Sequence, residues 1–316
     1  MTPLRESLVA LGARPDSDGA LAWSDAQSET AAVTARRACA AAMEGFTCFT
    51  IEGAQAQTFL QGQLTNDVSA LAPGEGQWQG YCQPQGRLLA TFPLVCTAAD
   101  TYWVALPTGI AAALIKRLSM FVLRAKVKIV ANDDALLAFA YGAPANATRL
   151  GQTAFFVQKV PTAQLAQTWE ESTTGFEPIA QSRWLLAAAR AGIAMIDAGA
   201  QDLFVPQTVG WDIVGVSFKK GCYPGQEVVA RAHYRGAVKR KPAISVGSGA
   251  LLPPPGCALA AGDNELGHIV AAFRTGDQTW EGLAAIHQDH LAAPSRTFEI
   301  PDLGRVELVP LPLQAP

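Results

Sequence analysis

Residues 218–241 open with Phe218-Lys219-Lys220-Gly221-Cys222-Tyr223-Pro224-Gly225-Gln226-Glu227, continue through Val228-Val229-Ala230-Arg231-Ala232-His233-Tyr234-Arg235-Gly236, and end in Lys239-Arg240-Lys241. Gly221, Pro224 and Gly225 force a tight turn, and residues 228–235 that follow have helical character. Between 219 and 241 stand seven Lys or Arg and one acid, Glu227, a local charge of +6 in a chain of formal charge −3. The remainder carries −9. A cationic strip beside the donor end of a helix is where carboxylates or phosphates settle. Cys222 sits on that turn, where helix amides, Lys219 and Lys220 favour thiolate over thiol. It reads as a nucleophile or metal ligand, and equally as a small packed hydrophobe. Glu227 and Arg231 stand four apart in the order of a surface helix pair, and Tyr223 and Tyr234 read equally well as core aromatics.

Working outward, residues 46–51 read as a strand turned by Gly53, with a helix over 54–60 ending near Gly62. Strands over 78–82 and 88–96 bracket the turn Pro84-Gln85-Gly86, and a strand at 102–106 precedes a helix over 108–121. Short strands recur at 126–130, 135–141 and 154–160, followed by a helix opened by Pro161 and another over 179–191. The first 44 residues read as alanine-rich and helical, with a loop at 15–19. Beyond Lys241, turn signals at Pro253-Pro254-Pro255-Gly256, Gly262-Asp263-Asn264, Gly276-Asp277 and Pro301-Asp302 alternate with brief apolar strands, as in a small sandwich or barrel. A domain boundary is placed near 241–248.

The 316 residues, 49% apolar and 16% charged, describe a globular chain of about two domains. No apolar run reaches spanning length and no signal core follows Arg36-Arg37, so the expected location is cytoplasmic, without membrane contact. The six cysteines, at 39, 48, 82, 96, 222 and 257, include no C-x-x-C pair, against a disulfide framework or a self-sufficient metal site. His287 and His290 flank Asp289 without further ligand types and read as a solvated loop, and His233 and His268 stand alone. The sequence contains no phosphate loop, nucleophile elbow or dinucleotide fingerprint.

Lys220-Gly221-Cys222-Tyr223-Pro224-Gly225-Gln226-Glu227 resembles the K-G-C-Y-x-G-Q-E motif of YgfZ-type folate-binding proteins, relatives of the glycine-cleavage T-protein and of mitochondrial iron–sulfur assembly factors. Three further stretches extend the likeness: residues 60–67 (Leu-Gln-Gly-Gln-Leu-Thr-Asn-Asp), Gln85-Gly86-Arg87, and Phe204-Val205-Pro206-Gln207, with Arg235-Gly236 and Lys239-Arg240 completing it. The resemblance implies an α+β fold, a three-subdomain ring of the aminomethyltransferase folate-binding type. Two ferredoxin-like units, about 45–125 and 126–241, would form a folate-binding region over 1–241 with the N-terminal segment packed on them. A small C-terminal β-barrel would follow at 242–316.

It also implies a tetrahydrofolate cofactor, or a one-carbon derivative, held by Phe46, Trp184, Arg190, Lys220, Tyr223, Gln226, Glu227 and Arg231. Flat rings suit aromatic faces, and the glutamyl tail suits Lys or Arg. Cys222 would be the functional thiol of an accessory factor for iron–sulfur cluster assembly or repair, with effects on cluster-dependent tRNA methylthiolation. One thiolate can share a transient iron or cluster and cannot hold one alone. Expected partners are folate and iron–sulfur assembly proteins or cluster enzymes. Direct tRNA binding is not expected, because folate tails account for the same charges. The competing reading is a folate-dependent aminomethyltransferase. One departure bears on it: the T-protein's paired acids are missing after Gly86. A second bears on folate itself: Arg190 stands where relatives often carry a Glu that accepts from pterin nitrogens, so folate sits differently here or binds more weakly.

Overall fold

The computed structural model describes residues 3–16, 19–122, 125–151, 155–236 and 238–311. Ser17 and Asp18 of the expected first loop, and Ala154 at the start of an expected strand, lie outside them. Two compact units divide the chain. The first comprises Met1–Ala56, Leu71–Gln77 and Pro93–Ala187; the second comprises Gln57–Ala70, Trp78–Phe92 and Ala188–Pro316. Helices and largely antiparallel sheets mix throughout, as expected of an α+β chain. No helix among the described residues is long and apolar enough to cross a membrane.

In the first unit a five-stranded sheet runs in the order Thr148–Arg149, Phe155–Pro161, Asp134–Ala140, Cys39–Ala42, Glu177–Pro178. Every pairing is antiparallel except the last. One face carries Leu137 and Phe139 into a core with Leu8, Leu21, Leu165 and Trp169. The strand Cys39–Ala42 corrects the helical reading of the first 44 residues. Three alanines favour helix locally, but all four residues are buried between two strands, and that packing overrides a propensity of under 1 kcal/mol per residue. The helices Pro3–Ala10 and Ala26–Thr34 are present, separated by the short pair Arg14–Pro15 and Leu21–Ala22. A second antiparallel sheet of this unit joins the 94–98 end of the strand Leu88–Ala98 to Thr101–Pro107, then Phe46–Glu52, then Lys128–Ala131. The helix Thr108–Ser119 buries Ile110, Ala111, Leu114 and Leu118, the stripe its periodicity requires.

In the second unit six antiparallel strands run Ala258–Ala261, Asn264–Gly276, Thr279–His287, Arg240–Ser248, Gly304–Pro310, Thr297–Ile300. The two edge strands come within 8 Å between Cα atoms, so the sheet is nearly closed into a barrel. Its interior is Leu259, Ile269, Trp280, Ile286, Val306 and Leu308. Gly247 is required there: a Cβ would lie 2.1 Å from the Trp280 ring. Arg240–Ser248 occupies the stretch where the sequence places a boundary, and it belongs to the same compact unit as the Cys222 turn.

Candidate functional site

The turn around Cys222 is assembled within the second unit from stretches far apart in sequence. After the helix Ala56–Gln61, the chain passes through Leu64-Thr65-Asn66-Asp67. Thr65 Oγ1 donates to the Gly215 carbonyl at 2.5 Å and accepts from the Gly80 amide at 2.8 Å. The Asn66 amide donates to Gln79 Oε1 at 2.9 Å. These bonds fix the carbonyls of Leu64 and Asn66 in space, and Lys220 Nζ donates to both, at 2.6 and 3.0 Å. The same ammonium lies 5.4 Å from the centre of the Tyr223 ring. Lys220 is 8% exposed; burial pulls its pKa from 10.5 down to about 8, with the Asp67 carboxylate opposing. Burial also pushes the Tyr223 hydroxyl above its ordinary range.

The other side of the turn rests on the hairpin Gln83–Arg87. Gly86 and Gly225 face each other, both with φ near +80°. A Cβ on Gly225 would meet the Gln83 carbonyl at 2.5 Å and Gly86 Cα at 2.7 Å, so only glycine lets the two backbones touch. Gly225 is also the N-cap of the helix Gln226–Arg235. Gln226 Nε2 donates to the Lys220 carbonyl at 3.4 Å, and Gln207 Nε2 donates to the Val229 carbonyl at 2.8 Å. The Leu88 amide donates to the Phe204 carbonyl at 2.8 Å. All four stretches that carry the sequence resemblance are therefore tied into one hydrogen-bonded assembly. Thr65 stands in the 60–67 stretch that carries the likeness but has no role assigned by sequence, and Gln79 is not singled out at all; both are fully buried polar residues, a property that no local pattern shows.

Cys222 itself is exposed, and Gly221 beside it has nothing within 4 Å of where a Cβ would stand. The other thiols differ. Cys39, Cys48, Cys82 and Cys96 are buried and Cys257 partly so, and burial pushes Cys39 up to about 11 and Cys48 and Cys82 to about 12. Glu227 and Arg231 are exposed. They form none of the ion pairs found among the described residues, so the helix pair that their spacing suggests is not made.

The remaining expected residues lie elsewhere. Arg190, at the end of the helix Gln181–Arg190, is bound through Nε and Nη2 to the Glu281 carboxylate, both at 2.6 Å. Phe46 and Trp184 belong to the first unit and are 8% and 1% exposed. Trp184 packs edge-on to Phe155 at 5.4 Å, and its indole N–H is buried with no hydrogen-bond partner. Lys220, Tyr223 and Gln226 thus come together around Cys222, while the guanidinium of Arg190 is taken up by Glu281. His287 and His290, read as a loop, flank and enter the short helix Gln288–Ala292, with rings 6.4 Å apart.

Folate chemistry asks for polar groups at the pterin edge and flat faces along the rings. Within the second unit the open carboxylate of Glu227 is a group of the first kind. The rings of Phe46 and Trp184 are covered by protein, and the cations of Lys220 and Arg190 are already engaged. Of the expected groups, the Glu227 carboxylate is open to the polar edge of a pterin and the exposed Arg231 guanidinium to the glutamyl tail.

Comparison with known proteins places this geometry in context. No family model matches the chain. The tRNA-modifying protein YgfZ of Edwardsiella ictaluri is 32% identical over 258 residues, covering 72% of this chain and 78% of that protein. Its namesake from Shigella boydii is 27% identical over 294 residues, covering 83% and 89%. The fold is that of the glycine cleavage system aminomethyltransferase T from Bartonella henselae, with a TM-score of 0.74 over 99% of this chain and 98% of that one at 15% identity. The chain accordingly belongs to the YgfZ family of tRNA-modifying proteins.

Proposed function

We propose that this chain is a tetrahydrofolate-binding accessory protein for iron–sulfur cluster assembly or repair, acting on cluster-dependent tRNA methylthiolation through the thiol of Cys222. The observation that carries the reading is the contrast among thiols: Cys222 is the one exposed cysteine among the described residues, on a turn held from beneath by the buried Lys220 ammonium. A rigid turn with an open sulfur suits transient sharing of iron or a cluster edge with a partner, because the remaining ligands must come from elsewhere. The partners on this reading are iron–sulfur assembly proteins or cluster enzymes, and the setting is the cytoplasm.

Bound folate would supply a reduced pterin and a one-carbon position. This chain's own residues would bind and orient it, with Glu227 meeting polar atoms of the ring system and Arg231 the glutamyl tail. Aminomethyl transfer is disfavoured by the strand after the hairpin: Leu88–Ala98 carries no carboxylate, leaving no acid there to orient a reacting amine. Isothermal titration with tetrahydrofolate tests the cofactor, and ammonia release from a glycine-derived aminomethyl donor tests the transferase. Saturable binding without turnover supports the proposal. No binding removes the cofactor, and turnover makes the chain a transferase.

A further inference from the structure

The second unit carries an open face of which the folate reading claims only Arg231. The helix Gln226–Arg235 buries Val229, and helical geometry then sets Arg231, Tyr234 and Arg235 together on the solvent side. Tyr234 is 73% exposed, the most open of the large apolar and aromatic side chains described. Its ring is nonetheless supported: it stands edge-on to Phe218 at 6.2 Å and to His233 at 5.1 Å, and those two rings stack at 3.8 Å and 19°. At the same end of the helix, Ala232, Val238, Lys239, Arg240 and His287 help line an open groove of about 360 Å³. Arg240 shares its charge with Glu265. Arg231, Arg235 and Lys239 pair with no carboxylate among the described residues.

We infer that this face binds single-stranded RNA directly, with Arg231, Arg235 and Lys239 on backbone phosphates and one unstacked base on the ring of Tyr234. The combination decides the class of ligand. Unpaired cations alone would suit any anion, and an exposed ring alone would suit many surfaces. A supported tyrosine set among cations offers both the stacking platform and the backbone contacts that single strands use. A bilayer would ask for aliphatic side chains to insert, and the face offers few. The sequence expectation against direct tRNA contact rested on folate taking these charges. Lys220 is turned inward to main-chain carbonyls, while Arg231, Arg235 and Lys239 remain in water. The inference goes beyond the folate reading and does not depend on it.

Fluorescence anisotropy of a labelled 12-nucleotide oligoadenylate, titrated with the full-length protein between 50 and 200 mM salt, tests it. Three phosphate contacts on a single strand give a log–log salt slope of about −2. Replacing both arginines, Arg231→Gln with Arg235→Gln, should reduce that slope by about 1.4 and weaken binding. Tyr234→Ala should weaken binding about 5- to 100-fold with the slope unchanged, and Tyr234→Phe should restore it. Circular dichroism of each variant confirms that the fold persists. No binding of wild type at 50 mM salt, or equal binding by wild type and both kinds of variant, overturns the inference. So does binding to phosphatidylglycerol vesicles without binding to the oligonucleotide. Tetrahydrofolate calorimetry on wild type and on Tyr234→Ala, which lies outside the expected folate residues, reports separately on the folate reading, so either can fail alone.

Discussion

Replacing Lys220 with methionine removes the ammonium under the Cys222 turn while keeping most of its volume. The wild-type ammonium makes two hydrogen bonds, to Leu64 O and Asn66 O, from a site 8% exposed. Its pKa falls from 10.5 unfolded to about 8 folded. Between those values the unfolded chain holds a proton that the folded chain has released, so stability rises with pH across that window. At about 1.4 kcal/mol per pH unit the rise is at most about 3 kcal/mol, and water reaching the ammonium makes it smaller. Below pH 8 the charged form is present and the methionine variant loses two charge-assisted bonds worth about 1.5–3 kcal/mol each. It is also relieved of the burial cost, so the net loss at pH 7 is modest, about 1–3 kcal/mol. Urea unfolding of both proteins at pH 7, 8, 9 and 10.5 measures the difference curve, in which all other titrations cancel. A gap that widens in favour of wild type above pH 8 is expected. A flat gap would refute the buried, depressed lysine.

Gly225→Ala should destabilise the second unit by about 2–5 kcal/mol, because a left-handed alanine costs about 1–2 kcal/mol and the added Cβ presses on the Gln83 carbonyl and Gly86 Cα; thermal unfolding measures it. Glu29, 1% exposed, accepts from the amides of Trp23, Ser24 and Ala180 and pairs with Arg183 at 3.8 Å. Glu29→Ala should cost about 3–5 kcal/mol, read by urea unfolding. A thiol reagent added to native protein should modify Cys222 fast, Cys257 slowly, and the four buried cysteines only on unfolding. Peptide mass spectrometry of timed samples assigns each rate.

Much of the fold is legible because local pattern and tertiary outcome agree. The strand Phe46–Glu52, the helix Thr108–Ser119 and the turns at Gly262 and Asp302 all follow from periodicity and from residues that tolerate positive φ. Cys39–Ala42 is not legible, since nothing in three alanines signals the two strands that flank them. At the site, the glycines of the turn and the motif that carries the family likeness stand in the sequence. The direction of each cation does not. Lys220 reads as part of a surface strip, yet its partners are carbonyls more than 150 residues earlier, and Arg190 finds Glu281 91 residues later. A helical spacing of four permits a Glu227–Arg231 pair without requiring it, and in water both side chains keep their freedom. The ring cluster of Phe218, His233 and Tyr234 joins a loop to a helix, a contact that periodicity does not address.

The account turns on the sulfur of Cys222, and the most direct measurement is rescue. A bacterial strain lacking its own YgfZ-family gene would be supplied with wild-type, Cys222→Ala or Cys222→Ser protein at matched levels, and methylthiolated adenosine in its tRNA quantified by mass spectrometry. The exposed side chain contributes little to folding, so the variants should accumulate normally and melt within about 0.5 kcal/mol of wild type. The expected result is full restoration of methylthiolation by wild type and none by either variant; restoration by Cys222→Ala would contradict the assignment of the working group to this thiol.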